Sequence, residues 1–245
     1  MIEDIKKIPS PNHDDRDGQA IDMLVMHYTG MKDGARALER LTDAESQVSA
    51  HYVVDELGGV FSLVDEQMRA WHAGKAYWRG HTNINQRSIG IEIINPGHEF
   101  GYRPFPDVQM HSVIKLCQEI LSRHDIPARN VIGHSDVAPT RKQDPGELFD
   151  WAWLAKQGIG LWALGIKDKD LEQEGRPVGR PSLEPAKQCS MCEQKASAGA
   201  LKDFGYDTTD LPAAIIAFQR HFRPHLLTGK WDDECERVIA QLLAV

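Results

Sequence analysis

The chain has 245 residues, of which 41% are hydrophobic and 26% are charged, so it holds enough apolar material for a buried core. Its formal net charge of -8 argues against a protein that binds nucleic acid through a broad basic surface. The sequence lacks both an apolar run of about 18 residues, as a membrane span needs, and the pattern of a secretory signal, so we expect no integral membrane segment and a cytoplasmic location.

The first 65 residues predict a strand, a short helix and a β-hairpin. The strand is a mostly apolar run at 21–28 that has His27 near its end. The helix is at 35–41, where leucines are three positions apart. Two apolar runs, at 51–54 and 60–64, are joined by a pair of glycines, which is typical of a hairpin.

The middle of the chain predicts two more strands with an amphipathic helix between them. The first strand, at 88–94, is apolar except for Glu92, and carboxylates are almost never fully buried without a partner. Residues 108–124 carry apolar side chains largely at helical spacing, and 131–134 is a short strand that ends in His134. This mixture indicates an α/β fold with a mixed central β-sheet flanked by helices.

The C-terminal third predicts a separate helical unit. Residues 166–187 are rich in charge, proline and glycine and have almost no apolar side chain, which indicates a linker between a first domain at 1–165 and a second at 188–245. The second domain is predicted to be small and all-α, with three helices. These helices correspond to apolar-periodic stretches at 198–204, 211–222 and 235–243.

Cys189 and Cys192 form a lone C-x-x-C motif near the start of that unit. A structural zinc site needs a second pair of ligands, and neither Cys117 nor Cys235 stands at a familiar spacing from the motif. We interpret the pair as incidental thiols rather than as a metal or redox site.

Three residues form a candidate ligand set for zinc. His27 and His134 each end an apolar strand, and a loop containing Pro139 could return Asp144 to the same edge of the sheet. A single histidine in this position is more often a hydrogen-bonded core residue. Two imidazoles with one carboxylate, however, suit a catalytic zinc ion that keeps a fourth position for water.

Glu92 and Lys142 are the candidate catalytic groups beside that ligand set. A carboxylate next to the attacking water can accept its proton and pass it to a leaving amine. A lysine two residues before a ligand can stabilise the oxyanion of a tetrahedral intermediate. The alternatives are a glutamate that faces solvent at a strand end and a lysine on a solvated loop.

Five ordered motifs over about residues 20–155 carry a family resemblance. They are MHYTG at 26–30, VSAHY at 48–52, AWHAG at 70–74, SIGIE at 88–92 and the stretch at 134–146. The set resembles the zinc-dependent N-acetylmuramoyl-L-alanine amidases of the AmpD and AmiD type. This group is related to phage lysozyme-like amidases and to peptidoglycan recognition proteins.

The resemblance implies a role for each candidate residue. His27, His134 and Asp144 would bind Zn²⁺, Glu92 would be the general base or proton shuttle, and Lys142 would stabilise the oxyanion. The bond cut would be the amide between the lactyl group of N-acetylmuramic acid and L-alanine of the stem peptide. Peptidoglycan or muropeptide fragments are therefore the expected partners.

Further positions in the matching motifs are expected to line the substrate groove. These are Tyr28, Trp71, His72 and Asn95. Ala50 stands where phage-type relatives carry a catalytic tyrosine, and Asp144 stands where phage enzymes and recognition proteins have cysteine, so the AmpD and AmiD branch fits better.

The last 55 residues resemble a three-helix peptidoglycan-binding domain, through FGY at 204–206, AFQ at 217–219 and TGKW at 228–231. Such a domain would raise the effective concentration of the enzyme on a polymer. The alternative is a plain interaction or stabilising module. A wall-binding domain points to the periplasm or envelope, in contrast to the cytoplasmic location that the N-terminal sequence suggests.

Two other functions share this chemistry. A non-catalytic recognition protein has the same fold, but the presence of all three ligands together with Glu92 and Lys142 speaks against it. A zinc peptidase would use the same metal, but the H-E-x-x-H signature is absent from the sequence.

Overall fold

The computed structural model describes residues 5–163 and 191–245, and the predicted α/β fold is confirmed. Within these residues the strands are β1 (Ile5–Lys7), β2 (His13–Asp15), β3 (Met23–Tyr28), β4 (Tyr52–Val54), β5 (Val60–Ser62), β6 (Met68–Ala70), β7 (Ser88–Ile93) and β8 (Val131–Gly133). The main sheet is mixed and has the strand order β1-β5-β4-β7-β3-β8, while β2 and β6 form a small antiparallel sheet.

The described helices alternate with these strands and then close the chain. They are α1 (Gly34–Thr42), α2 (Ile84–Arg87), α3 (Gly97–Phe100), α4 (Asp107–Arg123), α5 (His134–Val137), α6 (Trp151–Lys156), α7 (Met191–Phe204), α8 (Leu211–Phe222) and α9 (Asp233–Leu243). The helices predicted at 35–41 and 108–124 are confirmed as α1 and α4. Within the described ranges, no helix combines the length and the apolar character that a membrane crossing requires.

Aspartates fix the first turns of several helices. Asp33 accepts a hydrogen bond from the backbone at the start of α1, and Asp210 and Asp232 do the same for α8 and α9. Each cap satisfies a backbone N–H that has no partner inside the helix. These local signals explain why the helices begin at these positions.

The central strands divide the core into two layers because side chains alternate across a sheet. Leu24 and Met26 of β3 and Ile89 and Ile91 of β7 belong to a buried cluster on one face of the sheet. Apolar residues of α4 complete that cluster, which explains the amphipathic pattern of this helix.

The opposite face of the sheet is covered by the C-terminal helices. Met23 and Val25 of β3 pack in one cluster with Leu201, Phe204 and Phe218. We call residues 191–245, which contain α7, α8 and α9 and the turns between them, the helical module. Its hydrophobic core is therefore continuous with that of the sheet, and the residues of β3 that alternate with Leu24 and Met26, including His27, lie on this face.

The three helices predicted for the C-terminal region are present as the helical module. The proposed linker at 166–187 and Cys189 lie outside the described residues. The division into domains at 1–165 and 188–245 stays a prediction. The shared apolar cluster shows that the two parts are packed against each other.

Candidate active site

Three chain segments bring the candidate zinc ligands together. β3 and β8 are parallel neighbours in which Met26 pairs with Gly133, so the following residues, His27 and His134, are adjacent at the carboxyl end of the sheet. The loop after α5 then returns Asp144, whose carbonyl accepts a 2.8 Å hydrogen bond from the Ser135 N–H. The loop that contains Pro139 thus brings Asp144 back to the edge of the sheet that carries His134.

The ligand atoms of these residues converge on one point. The Nδ1 atoms of His27 and His134 are 2.9 Å apart, and each is 3.0 Å from Oδ2 of Asp144. All three side chains are buried. Because zinc bonds to imidazole nitrogen and carboxylate oxygen are about 2.0–2.2 Å, one ion can reach all three atoms. The donor set therefore fits a metal ion.

The protonation states of this cluster favour metal binding. Burial, with the neighbouring His134 imidazole, lowers the pKa of His27 to about 4. Burial alone would raise the pKa of Asp144, but His134 and His27 hold it below its ordinary value. A neutral imidazole and an ionised carboxylate are the forms that bind metal.

The tautomer of His134 is set by a backbone carbonyl. Its Nε2 lies 3.0 Å from the carbonyl oxygen of Ala73, which can only accept a hydrogen bond. Nε2 therefore carries the proton, and the lone pair of Nδ1 points toward the other two ligand atoms.

The tautomer of His27 is set by a longer chain of hydrogen bonds. The Ser88 hydroxyl donates to the Ile84 carbonyl at 2.7 Å, which leaves the Ser88 oxygen to accept from Nε2 of His72 at 3.0 Å. Nδ1 of His72 then accepts from Nε2 of His27 at 3.0 Å. As a result, the lone pair of His27 Nδ1 is free for a metal ion.

Gly90 provides the space for the His72 ring. A Cβ atom at this position would lie 2.5 Å from Cγ of His72, and both ring nitrogens of His72 are already held by Ser88 and His27. The ring cannot move away without breaking this chain. The close approach of the His72 ring therefore explains why the SIGIE motif has glycine at position 90.

We expect Gly90→Ala to lower the free energy of unfolding by about 1–3 kcal/mol, because the added methyl group overpacks a fixed ring. Chemical denaturation measures this loss. Gly199→Ala is the matched control, since Gly199 lies in α7 and a Cβ there meets no described heavy atom within 4 Å. It should be neutral or stabilise by up to about 1 kcal/mol. Equal effects of the two substitutions would contradict the packing argument.

Glu92 faces the ligand cluster from the neighbouring strand. β3 and β7 are parallel, and His27 pairs with Glu92, so both side chains lie on the same face of the sheet. Among the described residues, none provides a hydrogen-bond donor to the buried Oε2 of Glu92. Burial, with the nearby charge of Asp144, raises the pKa of Glu92 well above its ordinary value, while Lys142 opposes that rise.

These groups border a cavity of about 400 Å³. Glu92, His134, Asp144 and Lys142 all line it, and Lys142 is half-buried. The positive charge of Lys142 lies close enough to lower the pKa of both His27 and Glu92. The cavity therefore brings together a ligand set for a metal, a cation, and a carboxyl group whose buried oxygen has no partner among the described residues.

The predicted substrate residues have different positions. Tyr28, Trp71 and His72 line the cavity, and the indole N–H of Trp71 donates to Asp14. Asn95 is buried, and its side-chain amide donates to one backbone carbonyl and accepts from the Gly97 N–H. Asn95 therefore shapes the turn after β7, and its contact with a substrate stays a prediction without support from the cavity walls.

One hydrogen-bond network beside the cavity is not indicated by any sequence motif, and two of its members, Tyr28 and His98, line the cavity. Nδ1 of His98 lies 3.0 Å from the Tyr28 hydroxyl, and its Nε2 lies 3.1 Å from a carboxylate oxygen of Glu147. Burial, with the Asp144 charge, raises the pKa of Tyr28 to about 12, so its hydroxyl keeps its proton. His98 lies in α3 and Glu147 lies in the turn before α6, and no motif in the sequence connects them.

The comparisons with known proteins agree with this geometry. A model of the N-acetylmuramoyl-L-alanine amidase family matches residues 17–147. The N-acetylmuramoyl-L-alanine amidase AmiD of Escherichia coli is 38% identical over 242 residues, which cover 91% of this chain and 82% of that protein. The 1,6-anhydro-N-acetylmuramyl-L-alanine amidase AmpD of Enterobacter cloacae is 32% identical over 167 residues, and this match covers 61% of this chain and 87% of that protein.

Solved structures show the same similarity. Escherichia coli AmiD, in complex with anhydro-N-acetylmuramic acid-L-Ala-D-γ-Glu-L-Lys, superposes with a TM-score of 0.75 at 36% identity and covers 91% of this chain and 89% of its own. AmpDh3 of Pseudomonas aeruginosa superposes with a TM-score of 0.70 at 28% identity and covers 96% of this chain and 94% of its own.

Proposed function

Because the chain belongs to the N-acetylmuramoyl-L-alanine amidase family, we propose that it is a zinc hydrolase in which His27, His134 and Asp144 hold the metal. Water adds across the amide between the lactyl group of N-acetylmuramic acid and L-alanine. The products are a lactyl carboxylic acid and a free amino group on the peptide. The observation that carries this proposal is the convergence of three ligand atoms near Glu92, whose buried Oε2 has no hydrogen-bond partner in the part of the chain that the structure describes.

The metal and its ligands together would activate the scissile carbonyl and the attacking water. Zinc, when bound, supplies Lewis acidity to the scissile carbonyl and to the attacking water. The protein contributes the orientation of both imidazoles, through the Ala73 carbonyl for His134 and through His72 for His27. We therefore assign His72 to the positioning of His27, in addition to its place in the cavity wall.

Glu92 moves the proton in this proposal. Its carboxylate accepts a proton from the attacking water and delivers it to the nitrogen of the leaving L-alanine, which departs as a neutral amine. The environment supports this role, because burial, the largest influence, raises the pKa of Glu92. A carboxyl group with a raised pKa holds the proton between the two steps.

Lys142 stabilises charge in the same scheme. The scissile carbonyl oxygen becomes negative as water attacks, and a half-buried ammonium group at the cavity wall lowers the energy of that charge. A protein that only recognises peptidoglycan has no need of this lysine or of a carboxyl group that faces the ligand cluster. These two residues therefore favour catalysis over simple binding.

The substrate is proposed to be a peptidoglycan fragment. AmiD and AmpDh3 have each been solved with an anhydromuramyl peptide, and this chain resembles both over nine-tenths of its length or more. The Tyr28 and Trp71 side chains at the cavity supply apolar faces with polar edges, which suit a sugar and its peptide. The cytoplasmic location stays a prediction, which fractionation of the native cells tests.

Removal of zinc is the direct test of this function. We expect the purified protein to release from an anhydromuropeptide a peptide whose free N-terminal residue is L-alanine, as measured by mass spectrometry. A chelator should abolish this reaction and added zinc should restore it, because the ligands alone cannot activate water. Metal analysis that finds no zinc, together with hydrolysis that a chelator leaves unchanged, would refute the proposal.

A further inference from the structure

A buried carboxylate next to the metal ligands has three hydrogen-bond donors. Asp136 lies in α5, two residues after His134, and is only 1% exposed. Its oxygens accept from the Gly133 N–H, the Tyr206 hydroxyl and Nδ1 of His221, each at 2.7 Å. A carboxylate buried this deeply needs such donors to remain stable.

Two of these three donors belong to the helical module. Tyr206 follows α7 and His221 lies in α8, and both side chains are buried. The His221 ring also stacks on Trp151 of α6, with ring centroids 3.8 Å apart. The helical module therefore contacts the part of the chain that carries the metal ligands in two ways. Tyr206 and His221 bind Asp136, and apolar side chains share one cluster.

The third donor connects Asp136 to the metal ligands. Gly133 directly precedes His134, and its N–H is held by the Asp136 carboxylate. A Cβ atom on Gly133 would lie 2.7 Å from Cδ of Pro145, the residue after Asp144, so the two ligand segments are in tight contact here. A shift of Asp136 would displace both segments.

We propose that Tyr206 and His221 are positioning residues for the metal centre, so that the helical module helps to hold His134 and Asp144 in place. This inference rests on the proposed function, since it takes the metal site as given. It assigns the module a role inside the amidase itself, whether or not the module also binds peptidoglycan. Its effect should therefore appear with small soluble substrates that cannot reach a second binding site.

The test uses the full-length chain with both donors removed, as Tyr206→Phe and His221→Leu together. We expect zinc affinity, measured by competition with a chelator, to fall by about 10–100-fold, as for other losses of groups that orient metal ligands. The kcat for a small anhydromuropeptide at saturating zinc should also fall. Tyr206→Phe alone keeps the ring and provides a milder variant if the double variant does not fold.

Two control variants separate positioning from general stability. His221→Asn keeps an N–H donor near the position of Nδ1 and should restore most of the zinc affinity relative to His221→Leu. Leu242→Ala removes a buried side chain of α9 inside the module, so it should lower the Tm and leave zinc affinity unchanged.

The outcomes distinguish this inference from the proposed function. Wild-type zinc affinity in the donor variants would overturn the positioning role and leave the amidase proposal intact. An equal loss of affinity in Leu242→Ala would overturn it too, because the effect would then follow from stability. A wild-type protein that neither binds zinc nor hydrolyses the substrate would refute the proposed function instead.

Discussion

Replacing Glu92 with glutamine should reduce kcat by about 10²–10⁴-fold, the usual contribution of a general acid–base group. Glutamine keeps the size of the side chain but can neither accept the proton of the attacking water nor deliver it to the leaving nitrogen. Zinc content should stay at the wild-type level, because Glu92 is not one of the three converging ligands. Steady-state kinetics with an anhydromuropeptide and metal analysis of the same sample measure the two quantities.

Glu66→Gln is the matched control for this substitution. Glu66 is bonded to Tyr52, Arg123 and His124, away from the cavity. Burial opposes ionisation, but Arg123 and His124 lower the pKa of Glu66 to about 2. Its contribution to stability is therefore complete above the ordinary pKa of 4.5 and is lost as the pH falls toward 2.

The two glutamine variants should therefore behave in opposite ways. Glu66→Gln should lower the Tm at pH 7, with a difference from wild type that shrinks at acid pH, while its kcat stays unchanged. Glu92→Gln should lose turnover with little loss of Tm, since the buried Oε2 of Glu92 has no hydrogen-bond partner among the described residues. A Glu92→Gln variant with the wild-type rate would rule out the proton-transfer role.

The core elements of the fold could be predicted because their signals are local. The apolar run before His27 and the helical spacing around Leu116 are each readable within one segment, and β3 and α4 lie where these patterns indicate. The predicted strand at 131–134 ends one residue early, because His134 begins α5. The strands β1, β2 and β6 are not predicted by the sequence, because each contains charged side chains and none forms an apolar run, unlike the equally short β4, β5 and β8.

The ligand cluster could be predicted in part because it lies at the end of parallel strands. His27 lies near the end of β3 and His134 directly follows β8, and the carboxyl ends of adjacent parallel strands lie together at one edge of the sheet. The spacing between His134 and Asp144 does not by itself establish the return of Asp144 to this edge. This return depends on the hydrogen bond from the Ser135 N–H, which no sequence pattern reveals.

The supporting contacts could not be predicted, because they join distant parts of the chain. The chain of hydrogen bonds from Ser88 through His72 to His27 connects three separate motifs, and only the folded sheet brings them together. The contacts of Asp136 with Tyr206 and His221 cross 70 and 85 positions. Each motif is recognisable by itself, whereas the way that it supports its neighbours is a property of tertiary packing.

Replacing Asp144, a proposed zinc ligand, should cause a large loss of zinc affinity. Asp144→Ala should weaken zinc binding by roughly 100–1000-fold, since a four-ligand zinc site binds with about 10–16 kcal/mol in total and one ligand is lost. Hydrolysis at low zinc concentration should disappear with it. Competition with a chelator of known affinity measures the loss, and the backbone bond from Ser135 to residue 144 should survive because it uses the carbonyl.

Asp144→Cys is the matched variant that distinguishes loss of a ligand from loss of a charge or of packing. A thiolate binds zinc at about 2.3 Å, close to the carboxylate distance, so the cysteine can complete the same set with His27 and His134. Phage enzymes and recognition proteins carry cysteine at the matching position. We therefore expect Asp144→Cys to retain most of the zinc affinity that Asp144→Ala loses. If the two variants bind zinc equally well, Asp144 is not a ligand, and the metal must be held by a different set of residues.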